Sequence, residues 1–434
     1  MRSTGQRIVI VGGGAAGFFA AITCQEANRA ARVTILEASQ VVLSKVRISG
    51  GGRCNVTHDQ PDPALLVRNY PRGGRALLGP LTRFGPRETV AWFAQRGVQL
   101  KTEADGRMFP TTDDSATIID CLVGAARAAG VEVRTGAAVV SVEVHEPTGD
   151  GHPAEGAAAR FLLRLKDGSA VAADRVLLAT GGAPASYRWV ADLGHTVEPP
   201  VPSLFTFKID DPRLHGLAGV SVQDGRVRLD GVKESHDGPL LITHWGLSGP
   251  AVLKASAWGA RPLHDHGYQL GVTVNWRPDL TEEAVRSELI AAKQADARRT
   301  VLAAGALELP QRLWRSLAAA AGADEQLRWG DAPKSLVAAL THEVHAGRYE
   351  ITGKGVFKEE FVTCGGVRLK EVDFATMESR VVPGLHFAGE VLDIDGITGG
   401  FNFQSAWTTG WLAGRAMAGG GALGASGEQL SSLR

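Results

Sequence analysis

The stretch RIVIVGGGAAGFFAAITCQEA, Arg7 to Ala27, admits few folds. A short apolar run, a cluster of glycines and a longer breaker-free run read as a buried strand, a tight turn and a helix. Gly12, Gly14 and Gly17 fit G-x-G-x-x-G. Gly12 permits the sharp turn, Gly14 lets the backbone approach a pyrophosphate, and Gly17 lets the helix lie on the strand. The first helical residues, Ala15 and Ala16, carry amide groups without intrahelical partners, and the positive end of the helix favours a phosphate pair. A second strand, RVTILE, ends at Glu37, 20 residues beyond Gly17 and just before Ala38. An acid at that spacing hydrogen-bonds a ribose 2′-hydroxyl, and an acid in place of arginine disfavours a 2′-phosphate. The reading is a Rossmann-type α/β dinucleotide-binding domain; the alternative is a tight α/β turn with no ligand.

Two arginines before an apolar run also imitate a secretory leader, but the glycines and the continuing helix through Glu26 argue against one. No run of 18 apolar residues follows, so no membrane span is expected. Lys+Arg and Asp+Glu balance at 46 each in 434 residues, which argues against a nucleic-acid binder while leaving room for a local patch. Cys24, Cys54, Cys121 and Cys364 are far apart and form no C-x-x-C, so a reducing cytoplasm fits best. The paired histidines, His264 with His266 and His342 with His345, bring no evident third ligand, so no metal site is expected.

The chain closes with a second glycine-led helix start, GLHFAGEVLDIDGITGGFNFQSAWTTGWLAG, Gly384 to Gly414. Its reading is a strand at 385–388, a loop bearing Gly389, Glu390, Asp393 and Asp395, then Gly399-Gly400 and an apolar helix from about Phe401 and Asn402. A second helix N-terminus remote in sequence suits the other end of a long cofactor. Reduced flavin carries negative charge near N1, which a helix start stabilises. That selects FAD over NAD; the alternative is a buried helix behind a glycine turn. A buried strand ending in Thr180-Gly181-Gly182 is a further candidate for the pyrophosphate.

The blocks GGGAAG with Glu37, KVRISGGGRCNVTH, DGRMFP, ATGG, THWGLSGPAVL and TMESRVVPGLHFAGEVLDIDGITGGFNFQSAWTTG occur in this order along nearly the whole chain. Together they resemble the bacterial BaiN-like, or aminoacetone-oxidase-like, flavoprotein family. The resemblance implies one non-covalent FAD on a glutathione-reductase-type domain, interrupted by a β-barrel-like and helical insertion. It also implies Lys45 as a flavin-facing lysine and Val139 as a backbone contact to adenine. Ser39 to Arg47 departs from the family's usual glycine and lysine spacing, which suggests a divergent subgroup. Family members are linked to amine oxidation and to reduction of a conjugated ketone.

Within KVRISGGGRCNVTH, the main chain of Ser49, Gly50, Gly51 and Gly52 is expected to lie along the FAD where a Cβ would collide. Arg53 is expected to donate to phosphate or flavin carbonyls, and Asn55 to a ring edge. Cys54 shows no cause for a lowered pKa, so it reads as a packing residue at the cofactor rather than a nucleophile. Between residues 86 and 94 the apolar spacing points to a helix burying Val90, Phe93 and Ala94.

From about Ser186 the pattern turns to short strands, then largely to helix between 281 and 346. The expected boundaries are an FAD domain of residues 1–186 and 355–420, an inserted substrate domain of 187–354, and a flexible tail of 421–434. His244, Trp245 and Ser248 in THWGLSGP are candidates for the substrate pocket. The expected activity is hydride transfer between a small amine or conjugated ketone and flavin N5, with NAD(P)H or O2 as electron partner. The alternative is a flavin-binding sensor without turnover.

Overall fold

A computed structural model describes residues 5–145, 159–355 and 362–419. The tail expected at 421–434 lies outside these residues. The chain divides into two compact units, 1–200 with 365–434, and 201–364.

The first unit is built on a seven-stranded sheet. Five of its strands are parallel, and their spatial order is Leu385–Phe387, Arg175–Leu178, Arg7–Val11, Arg32–Leu36 and Glu132–Arg134. Numbered along the chain and read from the Glu132–Arg134 edge, that is 3-2-1-4-5, the Rossmann order, which reverses direction beside the first strand. A small antiparallel hairpin, Val372–Asp373 with Glu378–Ser379, extends the edge next to Leu385–Phe387. The inner strands Arg175–Leu178, Arg7–Val11 and Arg32–Leu36 read as largely apolar runs because both faces are covered; Ile8, Ile10, Ile35, Leu177 and Leu178 are buried.

The first helix, Ala15–Ala27, is buried from Ala16 through Gln25. It packs against the helix Ser115–Ala129 and the closing helix Phe401–Met417. Helix Pro86–Ala94 buries Thr89, Trp92 and Phe93 rather than the Val90, Phe93 and Ala94 of the sequence reading. The face is rotated by a buried hydrogen bond from Thr89 Oγ1 to Gln404 Oε1 (3.0 Å) and by Trp92 packing on Phe19 (4.5 Å).

The second unit holds a seven-stranded antiparallel sheet, ordered 347–351, 270–275, 221–229, 235–243, 246–248, 207–208 and 353–354. Helices between Glu282 and Ala346 cover a core that includes Trp276, Trp314, Trp329 and Tyr349. The divide falls after Pro200 and before Gly365, whereas the sequence put it at 186/187 and 354/355. Helix Pro184–Asp192 stays with the first unit because Tyr187 and Val190 bury there, the Tyr187 hydroxyl reaching the Glu390 carbonyl at 3.5 Å. His264 lies in the helix Ala260–Asp265 and His266 caps it.

Candidate functional site

The site is organised by two helix starts. Gly12, with φ +113°, closes the turn after the first strand, and a Cβ on it would stand 2.4 Å from the Ala179 carbonyl oxygen. The first strand and Arg175–Leu178 therefore meet at the point where the sheet order reverses, the usual ligand crevice of such sheets. At Gly17 a Cβ would stand 2.0 Å from the Gly12 carbonyl oxygen, so helix and turn touch. A Cβ on Gly14 would meet no atom within 4 Å, and no side chain caps the helix there. Its N-terminal amides face open space, which suits an anion.

Glu37 ends the second strand beside this turn. Its Oε2 accepts the Gly13 N–H at 2.7 Å and its Oε1 accepts the Ser39 N–H at 2.8 Å. A carboxylate has about four acceptor positions, so lone pairs remain for a ribose hydroxyl. Ala38 is exposed next to it. The Ala137 N–H donates to the Glu37 carbonyl at 2.8 Å, which brings the start of the strand Val139–Val144 to the same end of the sheet.

Thr180 follows Ala179 at the switch point, and its Oγ1 is buried without a hydrogen-bond partner. A buried hydroxyl left unpaired is costly, so the atom awaits a polar group. Gly181, with φ +60°, is approached by the Glu390 carboxylate, and Glu390 Oε2 accepts from Lys45 Nζ at 2.6 Å. Lys45, in the short helix Ser44–Ile48, is thus joined to a residue 345 positions away. The pair is largely exposed on the lysine side and contributes little stability of its own.

The second helix start is assembled from both ends of the chain. Gly400, φ +91°, precedes the closing helix, and a Cβ on it would stand 2.5 Å from the Thr57 carbonyl. His58 Nδ1 lies 3.0 Å from the Gly399 carbonyl oxygen, so that nitrogen carries the proton and donates. The His58 ring stacks on Phe401 at 4.6 Å. Asn55 places its carboxamide oxygen 3.0 Å from the Gly400 N–H and its NH2 3.0 Å from the Thr57 carbonyl. The sequence reading gave Asn55 a flavin edge; instead its carboxamide pins the helix start. Beneath it, Thr57 Oγ1 donates to Gln404 Oε1 (2.6 Å) and Gln404 Nε2 to Thr408 Oγ1 (3.0 Å), all buried. Those polar residues at i and i+4 of a helix read as apolar were the missed signal.

The two helices run parallel at close range. A Cβ on Gly410 would stand 2.6 Å from the Ala16 carbonyl oxygen, and one on Gly414 2.5 Å from that of Ala20. Further along, Asn28 Nδ2 donates to the Ala418 carbonyl. With Ala16 level with Gly410, the closing helix begins eight residues, about 12 Å at about 1.5 Å per residue, beyond the start of the first. Both positive ends open on the same side of one unit, stepped by the reach of a sugar-alcohol chain.

Several expected contacts are otherwise engaged. Arg53 Nη1 donates to Glu103 Oε1 (2.6 Å) and lies 3.5 Å from Asp113, its guanidinium 4.0 Å above the Phe109 ring, rather than free for phosphate. Asp395 is fully buried and held by Arg72, Nε donating to Oδ1 at 2.6 Å and Nη2 to Oδ2. The Asn402 carboxamide takes both main-chain groups of Gly396, at 2.8 and 2.9 Å. Gly50, Gly51 and Gly52 have φ of +58°, +69° and +85°. A Cβ on Gly50 would stand 3.0 Å from Asn55 N and from Phe109 Cε1, whereas one on Gly51 or Gly52 would meet no protein atom within 4 Å, and three successive left-handed residues in themselves favour glycine. Cys54 continues the turn at φ +63° with its side chain fully buried. Burial pushes its thiol up to about 12, so it stays protonated at neutral pH and is no nucleophile. His244 and Trp245 form the tip of the hairpin 235–243/246–248 in the second unit, and Ser248 pairs with Leu241 in its returning strand. Among the described residues no group of three His, Cys, Asp or Glu gathers for a metal, and no helix is long and apolar enough to cross a membrane.

The family model for the HI0933-like protein Rossmann domain matches residues 6–416. The chain belongs to the HI0933-like family. Among its relatives is a 3-dehydro-bile acid delta(4,6)-reductase of Clostridium scindens, 31% identical over 95% of this chain and 99% of the relative. A ribosomal RNA dihydrouridine synthase of Escherichia coli K12 is also 31% identical, over 93% and 96%. A solved 3-ketosteroid delta1-dehydrogenase of Sterolibacterium denitrificans shares the fold, with TM-score 0.50 and 13% identity over 96% of this chain and all of that one. This HI0933-like chain is an oxidoreductase of the FAD-dependent Rossmann class, in keeping with the BaiN-like resemblance carried by its sequence blocks. The residues fit the cofactor: open amides at Gly14, the unpartnered Thr180 hydroxyl, and a second positive helix end a fixed step away.

Proposed function

We propose that this chain reduces a carbon–carbon double bond conjugated to a carbonyl, with NAD(P)H as electron donor. The observation that carries the cofactor half is the step of about 12 Å between two parallel helix starts, fixed by Gly410 on Ala16 and Gly414 on Ala20. The amides at Gly14 and Thr180 Oγ1 would hold the pyrophosphate, Glu37 the adenine ribose, and the Val139 main chain the adenine. The start at Gly400 would face the flavin's N1 edge. FAD, when bound, supplies hydride transfer at N5. The protein's own part is to stabilise charge at that helix end, orient the substrate and exclude water.

The substrate half rests on the relatives. A delta(4,6)-reductase acts on an alkene extended from a ketone, and making dihydrouridine saturates a ring C=C conjugated to a carbonyl. Of the amine and conjugated-ketone classes, the second is the one these two names have in common. His244, Trp245 and Ser248 of the second unit are carried as substrate-side residues, and cytoplasmic location as the setting for a soluble reductant.

The test is anaerobic. The purified protein should be yellow and release FAD, and NADPH should bleach it. A 4-en-3-one steroid or free uridine should restore the colour, while aminoacetone added to the oxidised protein should not bleach it. A colourless protein sinks the cofactor half; a yellow protein that aminoacetone bleaches, or that after reduction by NADPH is reoxidised by oxygen alone, sinks the substrate half.

A further inference from the structure

The peptide that opens the closing helix is gripped on both sides by one short segment. The Gly399 carbonyl accepts from His58 Nδ1 at 3.0 Å, and the Gly400 N–H donates to the Asn55 carboxamide oxygen at 3.0 Å. Both ends of a single peptide plane are thus fixed by residues of the same strand approach. The Gln404 N–H bonds back to the Gly400 carbonyl, whereas the amides of Phe401, Asn402 and Phe403 have no intrahelical partner. The grip therefore sets where the positive helix end points.

His58 is half-buried and held from two sides. Its ring stacks on Phe401 with centroids 4.6 Å apart, and a Cβ on Gly106 would stand 2.7 Å from its Nε2. Nδ1 carries the proton that goes to Gly399. A charged ring would still donate there, and more strongly, so protonation leaves the grip intact. Nε2 has no hydrogen-bond partner among the described residues. It is the ring atom left to gain or lose a proton.

The charged groups around the ring are spent elsewhere. Arg107 lies opposite His58 in the paired strand and takes Asp105 at 2.7 Å and Glu103 at 3.0 Å. Glu103 is shared with Arg53 at 2.6 Å. On helix Pro86–Ala94, which packs on the same strand, Glu88 accepts the Gly85 N–H and Arg87 is exposed. Asp59, next in the chain, is exposed, and Asp395 is bound to Arg72. Tyr70 meets Phe401 edge-on, and burial keeps its hydroxyl protonated. No carboxylate of the described residues pairs with His58. The positive helix end repels a cation beside it, and an anion arriving at that end reverses the sign.

We propose that His58 is a positioning residue that couples proton uptake to flavin reduction, its Nε2 taking a proton from water when negative charge arrives at the Gly400 helix start. The proposal rests on the cofactor reading above, which puts the flavin's N1 edge at that start. The electron pair enters with the hydride from NADPH, and the imidazole gains one proton. When the substrate's double bond takes the hydride, the imidazole gives its proton up. Saturating one C=C consumes one hydride and one proton, so the reduced protein holds both.

The test is the midpoint potential of the flavin-loaded full chain, followed by dye equilibration between about pH 5 and 8, where imidazole titrates. His58→Asn is the comparison, since its carboxamide N–H can take the Nδ1 position and keep the Gly399 bond without a titrating group. The unsubstituted protein should take up about two protons per electron pair over part of this range, and His58→Asn about one. His58→Leu, which also loses the bond, should retain less flavin than His58→Asn. Equal retention by the two variants overturns the positioning role. Equal proton counts in the unsubstituted protein and His58→Asn put the second proton on the flavin itself and overturn the coupling. If His58→Asn holds no flavin, the His58 ring is titrated by NMR in the unsubstituted protein. Its midpoint should lie at higher pH in the reduced form than in the oxidised one, and coincident curves overturn the coupling. A yellow protein with equal counts leaves the reductase reading standing; a colourless one overturns both.

Discussion

Gly410 lies against the carbonyl oxygen of Ala16, with no room between them for a methyl group: a Cβ would approach to 2.6 Å. The contact is backbone on backbone, so neither partner can yield by changing rotamer. Gly410→Ala should push the helices apart, lower stability by about 1–3 kcal/mol, and reduce the flavin retained per chain. Thermal unfolding and the visible-to-ultraviolet absorbance ratio of the purified variant check both. A variant that keeps its flavin and its thermal midpoint would remove the two-helix basis of the site.

Thr180→Val is isosteric and deletes a hydroxyl that has no protein partner. Without cofactor the variant should be at least as stable as the unsubstituted chain, because a buried unpaired group is gone. With FAD it should bind about 2- to 10-fold more weakly, the loss of one hydrogen bond of about 0.5–1.5 kcal/mol. Calorimetric titration of the apoprotein with FAD measures this; unchanged affinity would place the pyrophosphate elsewhere.

Cys54 ionises in the folded chain only near pH 12, against an ordinary 9.0. The unfolded chain releases that proton earlier, so stability should fall as pH rises from about 9 toward 12. Cys24, also pushed up to about 12 by burial, acts in the same direction. Cys54→Ala should make the alkaline decline of the thermal midpoint shallower, and alkylation of the native protein by iodoacetamide at pH 8 should leave Cys54 unmodified.

His386 is the acid counterpart. Burial, with Arg175 adding to it and Glu378 opposing, lowers its pKa from 6.5 to about 4, and its Nε2 has no hydrogen-bond partner. The unfolded imidazole takes up a proton below pH 6.5 and the folded one does not until about 4, so stability should drop across that window as pH falls. His195 and His236 are lowered by burial as well and add to the trend. His386→Leu should flatten the decline between pH 6.5 and 4 in thermal unfolding; an unchanged slope would mean the imidazole is charged in the fold.

The strand–glycine–helix run at Arg7–Ala27 and the closing helix from Phe401 were legible because each combines a period with a breaker, and backbone sterics leave such runs few conformations. Asn55 and Arg53 were misread for a common reason. A sequence shows which groups a side chain carries and not which neighbour claims them first, and Gly400 and Glu103 lie hundreds and tens of residues away. The triple glycine was legible as special backbone, but its left-handed φ in succession was not, because sequence does not separate that from close approach. Gln404 and Thr408 were legible only as a polar i, i+4 pair in an otherwise apolar helix, and their meaning came with the partner, Thr57, from a distant strand.

The eight-residue lead of the closing helix over the first works as a ruler cut in whole residues. One residue inserted or removed between Phe401 and Gly410 would change the step by about 1.5 Å and swing the helix start by about 100°, carrying it off the groove altogether. Substitutions there can be graded, but length cannot. Homologous chains can therefore drift widely in composition along this segment while its residue count stays frozen.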